Sequence, residues 1–254
     1  MSIKTATLNG VATIEIARPE KKNAITSQMY SEMAAALSAA SQDKAVRAVL
    51  IHGQPTVFTS GNDLEDFMAR PPRGEEAPVF QFMQALLGCE KPVVAAVNGA
   101  AIGIGTTLLL HCDLVYVADD ARLAMPFVAL GLVPEFGSSL VVPQLMGQRK
   151  AAEKLLLGDP ISGTEAVDWG IANAVLPAAE VVKHARRMAE RFNGLAPEAV
   201  RVSKKLMTAP GREQLQKVIA EEAEIFSARL RSPEAIEAFQ AFFQKRAPDF
   251  SKFS

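Results

Sequence analysis

Alternating apolar and polar side chains mark the first clear element of the chain. Ala12, Ile14 and Ile16 fall on one face and Val11, Thr13 and Glu15 on the other, which predicts a strand that the Arg18-Pro19 pair ends. A helical period follows, with Thr26 as its N-cap and an apolar stripe of Met29, Met33, Ala36, Leu37 and Ala40. Residues 46–52, 92–97 and 114–118 are short apolar runs bounded by Gly or Pro, too short for a core helix, and read as buried strands. Between them Val79, Phe82, Met83 and Leu86 return to helical spacing. The repeated strand, helix, strand order predicts an α/β protein with parallel pairing.

Further along, Ser162 and Glu165 form a capping box for a helix that Gly170 stops, and Asn193-Gly194 stops another. Beyond Ala196 the strand signals cease. Three helical segments are expected there: one from Pro197, one carrying Leu215, Ile219, Phe226 and Leu230, and one opened by Ser232-Pro233 and ending in Ile236, Phe239, Phe242 and Phe243. We therefore divide the chain into an α/β body, residues 1–195, and a helical region, residues 196–254. The apolar face of the tail must be covered, either by its own body or by a neighbouring subunit.

Composition narrows the function classes. The 254 residues suit one large domain with a small appendage. Lys and Arg number 27 against 28 Asp and Glu, for a net charge of -1, and the cations are scattered, so the basic stripe of a nucleic-acid binder is missing. Cys89 and Cys112 have no CxxC spacing and suggest neither disulfides nor zinc. Residues 1–10 lack a signal-peptide pattern, the longest apolar stretch is broken by Asn98 and glycines, and residues 251–254 do not spell the SKL address. A cytoplasmic protein without membrane or nucleic-acid partners, permanently bound cofactor or metal is expected.

Two turns carry candidate chemistry. In Ala101-Ile102-Gly103-Ile104-Gly105 the glycines follow a strand and lead into an apolar helix, but the third glycine of a dinucleotide fingerprint would fall at Leu108, and no phosphate-loop GK[ST] follows. What they permit is a backbone turn that aims a free N–H outward at a helix start. Phe58-Thr59-Ser60-Gly61-Asn62-Asp63-Leu64 is a second turn of that kind. Taken singly, each also fits a plain tight turn.

Together with Arg18-Pro19-Glu20-Lys21-Lys22-Asn23-Ala24, and in order with Val97-Asn98-Gly99 through Asp113, these segments resemble the successive signatures of the crotonase, or enoyl-CoA hydratase/isomerase, superfamily over nearly the whole chain. The resemblance implies a crotonase-like ββα spiral core with a C-terminal helical oligomerisation region, and a homotrimer or a hexamer built as a dimer of trimers. It implies an acyl-CoA substrate, of which coenzyme A is a part. It also implies an oxyanion hole from the backbone N–H groups of Asn62 and Ile104, and CoA contacts from Lys21, Lys22, Asn23, Ala24, Ser60, Gly61, Asp63 and Leu64. Asp63 and Asp113, at strand-to-helix boundaries, are equally suited to capping backbone N–H groups. His52, His111 and His184 match no catalytic position and are expected to be structural.

Hydratases of the superfamily use two glutamates, and the matching positions here hold Thr107 and Phe127, neither of which is a general acid or base near neutral pH. These two residues are expected in the acyl pocket instead. A carboxylate does occur in Gly131-Leu132-Val133-Pro134-Glu135-Phe136-Gly137-Ser138-Ser139. That segment, with Met125-Pro126-Phe127, resembles peroxisome-type Δ3-Δ2-enoyl-CoA isomerases, in which the glutamate after the Pro is the base. The expectation is a Δ3-Δ2-enoyl-CoA isomerase with Glu135 as base, its pKa raised by an apolar wall that includes Phe127. The alternatives are an enoyl-CoA hydratase of fatty acid β-oxidation and a non-catalytic acyl-CoA-binding homologue.

Overall fold

The computed structural model describes residues 2–72, 74 and 76–253, so the readings of Met1 and Ser254 lie outside the described residues. The chain begins with a hairpin, β1 (Ile3–Leu8) and β2 (Val11–Ile16), turned by Asn9 and Gly10, both at positive φ. Thr26 accepts from the Met29 N–H at the start of α1 (Ser27–Gln42), which buries Met29, Tyr30, Met33, Leu37 and Ala40.

Two ββα turns follow. The first comprises β3 (Ala48–His52), β4 (Val57–Thr59), α2 (Leu64–Ala69) and α3 (Pro78–Gly88); the second comprises β5 (Val93–Val97), β6 (Ala100–Ile102) and α4 (Ile104–Thr107), extended by a 3-10 turn, Leu108–His111. Then come β7 (Leu114–Ala118), β8 (Arg122–Ala124), α5 (Ser138–Met146), α6 (Gln148–Ala152), β9 (Ile161–Ser162), α7 (Gly163–Asp168), β10 (Ala174–Leu176) and α8 (Val181–Glu190). The longer strand of each turn joins a six-stranded sheet in the order β1-β2-β3-β5-β7-β10, parallel after the first hairpin. The shorter strand joins a second sheet, β4-β6-β8-β9, in which β4, β6 and β8 run parallel. This is the expected ββα spiral.

The three apolar runs are β3, β5 and β7, and β5 is buried throughout because both faces of its sheet are covered. The Ser162/Glu165 capping box forms at α7, with Gly170 at positive φ just past its end. The strands of the small sheet, which the resemblance implies, are two or three residues long and too short to show a period of their own.

The tail corrects one expectation. Its first two segments are a single 33-residue helix, α9 (Pro197–Arg229), which runs through Pro210. The N–H that proline lacks would have paired with the carbonyl of Leu206, an exposed residue, and water can take that place. Ser232 then caps α10 (Pro233–Phe243) through the Ala235 N–H. Ile219 and Phe226 of α9 and Ala235 and Phe239 of α10 join the same core cluster as the sheet residues. The tail thus covers its own body over this part of its length. Among the described residues, no helix is long and apolar enough to cross a membrane.

Candidate active site

The two predicted turns lie at matching ends of neighbouring parallel strands, since β4 pairs with β6. Gly61 (φ +89°) follows β4, and a Cβ there would stand 2.8 Å from the Ile102 carbonyl oxygen. Gly103 (φ +57°, ψ −119°) follows β6 in a region that only glycine visits readily. The Gly103 N–H donates to the Ala124 carbonyl at 2.8 Å, and the Thr106 hydroxyl ties Ala101 to Ala124, which pins the second turn to β8. Among the described residues, neither the Asn62 N–H nor the Ile104 N–H has an acceptor. A sheet edge that leaves two neighbouring amides free is suited to hold an anionic oxygen.

Both turns open on a cleft of about 620 Å³, which also takes in Lys21, Lys22, Ala24, Ser60, Asp63, Leu64 and Phe127. Lys21 is half exposed and lies 3.8 Å from Glu65, while the Lys22 carbonyl accepts from the Ser60 N–H. Asp63 caps α2 and accepts from Arg18 at 2.6 Å, and these hydrogen bonds hold its carboxyl below the usual carboxylate range although burial opposes them. Asp113 ties Lys204 to the Val93 N–H.

Two predicted site residues stand elsewhere. Asn23 is fully buried, and its side chain is spent on the carbonyls of Ile16, Val57 and Phe58 and on the Arg18 N–H. It shapes the turn and does not line the cleft, because a short amide in a left-handed residue is the group that can satisfy four backbone partners at once. Thr107 is likewise buried away from the cleft and donates to Glu135.

Glu135 lies deeper. It is 7% exposed and lines a cavity of about 20 Å³ that shares Asn62, Phe67 and Phe226 with the cleft. No other ionisable side chain is among the described residues lining that cavity. Its Oε1 accepts from the Thr107 hydroxyl at 2.5 Å, and its Oε2 is buried without a hydrogen-bond partner among the described residues. Burial pushes the Glu135 pKa up to about 8, against the Thr107 hydrogen bond and with the Glu222 charge.

The loop that carries Glu135 is held from several sides. Phe136 and Gly137 are both at positive φ, and the Glu135 N–H donates to the Ser138 hydroxyl. His111, whose pKa burial lowers to about 4, is neutral and donates its Nε2–H to the Phe136 carbonyl at 2.7 Å. Glu222 of α9 accepts from the N–H groups of Gly137 and Ser139. Phe226 of α9 packs edge-on against Phe67 and Phe127, walling the inner cavity from the cleft. Tyr30 donates to the Asn62 side-chain oxygen at 2.6 Å. Tyr30 and Glu222 escaped the sequence reading, although Tyr30 shares the buried face of α1 with Met33 and Leu37, and Phe226 was read only as part of the tail's apolar face. Among the described residues no group of three or more His, Cys, Asp or Glu is placed to hold a metal ion.

The enoyl-CoA hydratase/isomerase family model matches residues 6–252. Human enoyl-CoA delta isomerase 2 is 37% identical over 246 residues, 94% of this chain, and this chain spans only 62% of that relative's length. A Bacillus subtilis (strain 168) protein named probable enoyl-CoA hydratase is 31% identical over 94% of this chain and 95% of its own length. The solved structure of Pseudomonas aeruginosa OdaA is 58% identical and superposes with a TM-score of 0.93, covering 95% of this chain and 98% of that one. With spiral, paired turns and near full-length match in agreement, the chain belongs to the enoyl-CoA hydratase/isomerase family, the crotonase superfamily.

Proposed function

We propose that this protein is a Δ3-Δ2-enoyl-CoA isomerase in which Glu135 is the base and the N–H groups of Asn62 and Ile104 form the oxyanion hole. One observation carries the reading: among the described residues the inner cavity is lined by a single ionisable group, a buried carboxylate with one oxygen anchored and the other without a partner among those residues. The free Oε2 takes the C2 proton of a 3-enoyl thioester. The electron pair left behind spreads over C2, C3, C4 and the thioester oxygen, whose negative charge the two amides receive; each such donor is worth about 3 kcal/mol. The same carboxyl then returns the proton at C4, leaving the conjugated 2-enoyl thioester and an ionised Glu135. A base whose pKa is about 8 is better matched to a weakly acidic C–H than one near 4.5. Phe127 and Phe226 keep water from the dienolate.

In this reading the CoA moiety lies along the cleft, and Lys21 and Lys22, which line it, meet phosphate. Hydration is the second reading, favoured by the hydratase name of one relative. It needs an acid and a base around one water, whereas Thr107 and Phe127 occupy the positions expected of the pair. Conversion of a 3-enoyl-CoA by the purified protein, compared with its hydration of a 2-enoyl-CoA, separates the two. Isomerisation is expected to dominate, and Glu135→Gln to lower it by about 100- to 10,000-fold with little change in CoA binding. Unchanged turnover in that variant would refute the role of Glu135.

A further inference from the structure

The C-terminal helix reaches the base through one side chain. Glu222 is 6% exposed, a carboxyl in a place where few are found without a purpose. Its Oε2 accepts from the Gly137 N–H at 2.6 Å and its Oε1 from the Ser139 N–H at 2.9 Å. Those amides flank Ser138, the first residue of α5, and stand two and four residues beyond Glu135. A carboxylate is the only side chain that offers an acceptor to both, and the positive end of α5 favours its ionised form.

We propose that Glu222 is a positioning residue for Glu135, its carboxylate clamping the turn that aims the base and adding a negative charge beside it. The inference rests on the reading of Glu135 as the base. Among the described residues, the other groups around Glu135 leave Glu222 as the source of that charge. Tyr30 on α1 is buried with its pKa raised, so it stays a neutral phenol, and His111 beside Phe136 is neutral. Glu221, next to Glu222, adds its charge to the Glu222 carboxyl, whose own pKa burial raises against the hydrogen bonds from Ser139 and Gly137.

The test follows the Glu135 carboxyl directly, by 13C NMR titration of the full chain labelled at glutamate Cδ, with the signal assigned by its loss in Glu135→Gln. In Glu222→Gln the Glu135 midpoint is expected to fall by roughly one pH unit. The rate constant kcat for the 3-enoyl-CoA is expected to fall about 10- to 100-fold with KM nearly unchanged, because glutamine turns a donor –NH2 toward one of the two N–H groups and the base is misplaced. A lost hydrogen bond with a merely structural role would leave the midpoint in place, and an unmoved midpoint overturns the proposal. If Glu222→Gln does not fold, Glu222→Asp carries the test. It withdraws the charge by one methylene, so the midpoint should fall by less in the same direction, and no movement overturns the proposal equally. The titration needs no turnover. Should Glu135→Gln retain isomerase activity, the reading of the base fails on its own while the titration still decides the role of Glu222.

Discussion

The two halves of α9 are built from similar residues and end in different surroundings. In the first half Val202, Leu206 and Met207 stand exposed, Met207 at 81%. In the second half Ile219, Glu222 and Phe226 are buried, each at 7% or less. The second half is a wall of the inner cavity and a clamp on the loop of the base, while the first carries apolar side chains that this chain leaves open. An apolar stripe on a helix therefore predicts that a face will be covered without saying by what, and in this molecule one helix gives two answers.

Five variants sharpen or break that contrast. Phe226→Ala has the largest expected effect: it empties the contact between Phe67 and Phe127 and should cost about 3–5 kcal/mol in chemical denaturation. It should also admit water beside Glu135 and lower the pH midpoint of turnover, since burial is the main cause of the raised pKa.

Glu135→Gln comes next, and its effect depends on pH. In the folded protein Glu135 holds its proton to about pH 8, whereas its ordinary value is 4.5. Between those values the folded state binds more protons than the unfolded one, so this group makes stability fall as pH rises. The glutamine variant lacks that penalty, and its stability advantage over wild type should grow by about 4 kcal/mol between pH 5 and pH 9. A constant difference would mean that Glu135 titrates normally and is not buried as described.

Gly103→Ala should cost about 1–3 kcal/mol through its positive φ, with more damage to kcat than to stability because the turn aims the Ile104 N–H. Leu206→Ala should be smallest, within about 0.5 kcal/mol for the separate chain. If the first half of α9 packs in the expected trimer, Leu206→Asp paired with Met207→Asp should lower the mass in sedimentation while the fold persists; an unchanged mass would place the interface elsewhere.

How much of this was legible depended on range along the chain. The strands β3, β5 and β7, the Thr26 and Ser162 caps and the two glycine turns each declare themselves within a dozen residues, through period, cap chemistry or positive φ. Glu135 was legible through its motif and not through its spacing, since a Pro-Glu pair alone is an ordinary loop. What supports it was not legible. Glu222 meets Gly137 across 85 positions, and nothing near either residue hints at the other. Asn23 shows the converse: its place in a motif suggested ligand contact, while its side chain is consumed by the backbone around it. The continuity of α9 through Pro210 was missed because a proline signal carries no information on whether the carbonyl it orphans faces water.

The most direct test is a crystal structure of the protein with an unreactive 3-enoyl-CoA analogue. The Glu135 carboxyl should lie within about 3.5 Å of both C2 and C4, with the thioester oxygen accepting from the Asn62 and Ile104 N–H groups at about 2.7–3.1 Å. A thioester oxygen bound away from those amides, or an acyl chain that never reaches the cavity holding Glu135, would contradict it.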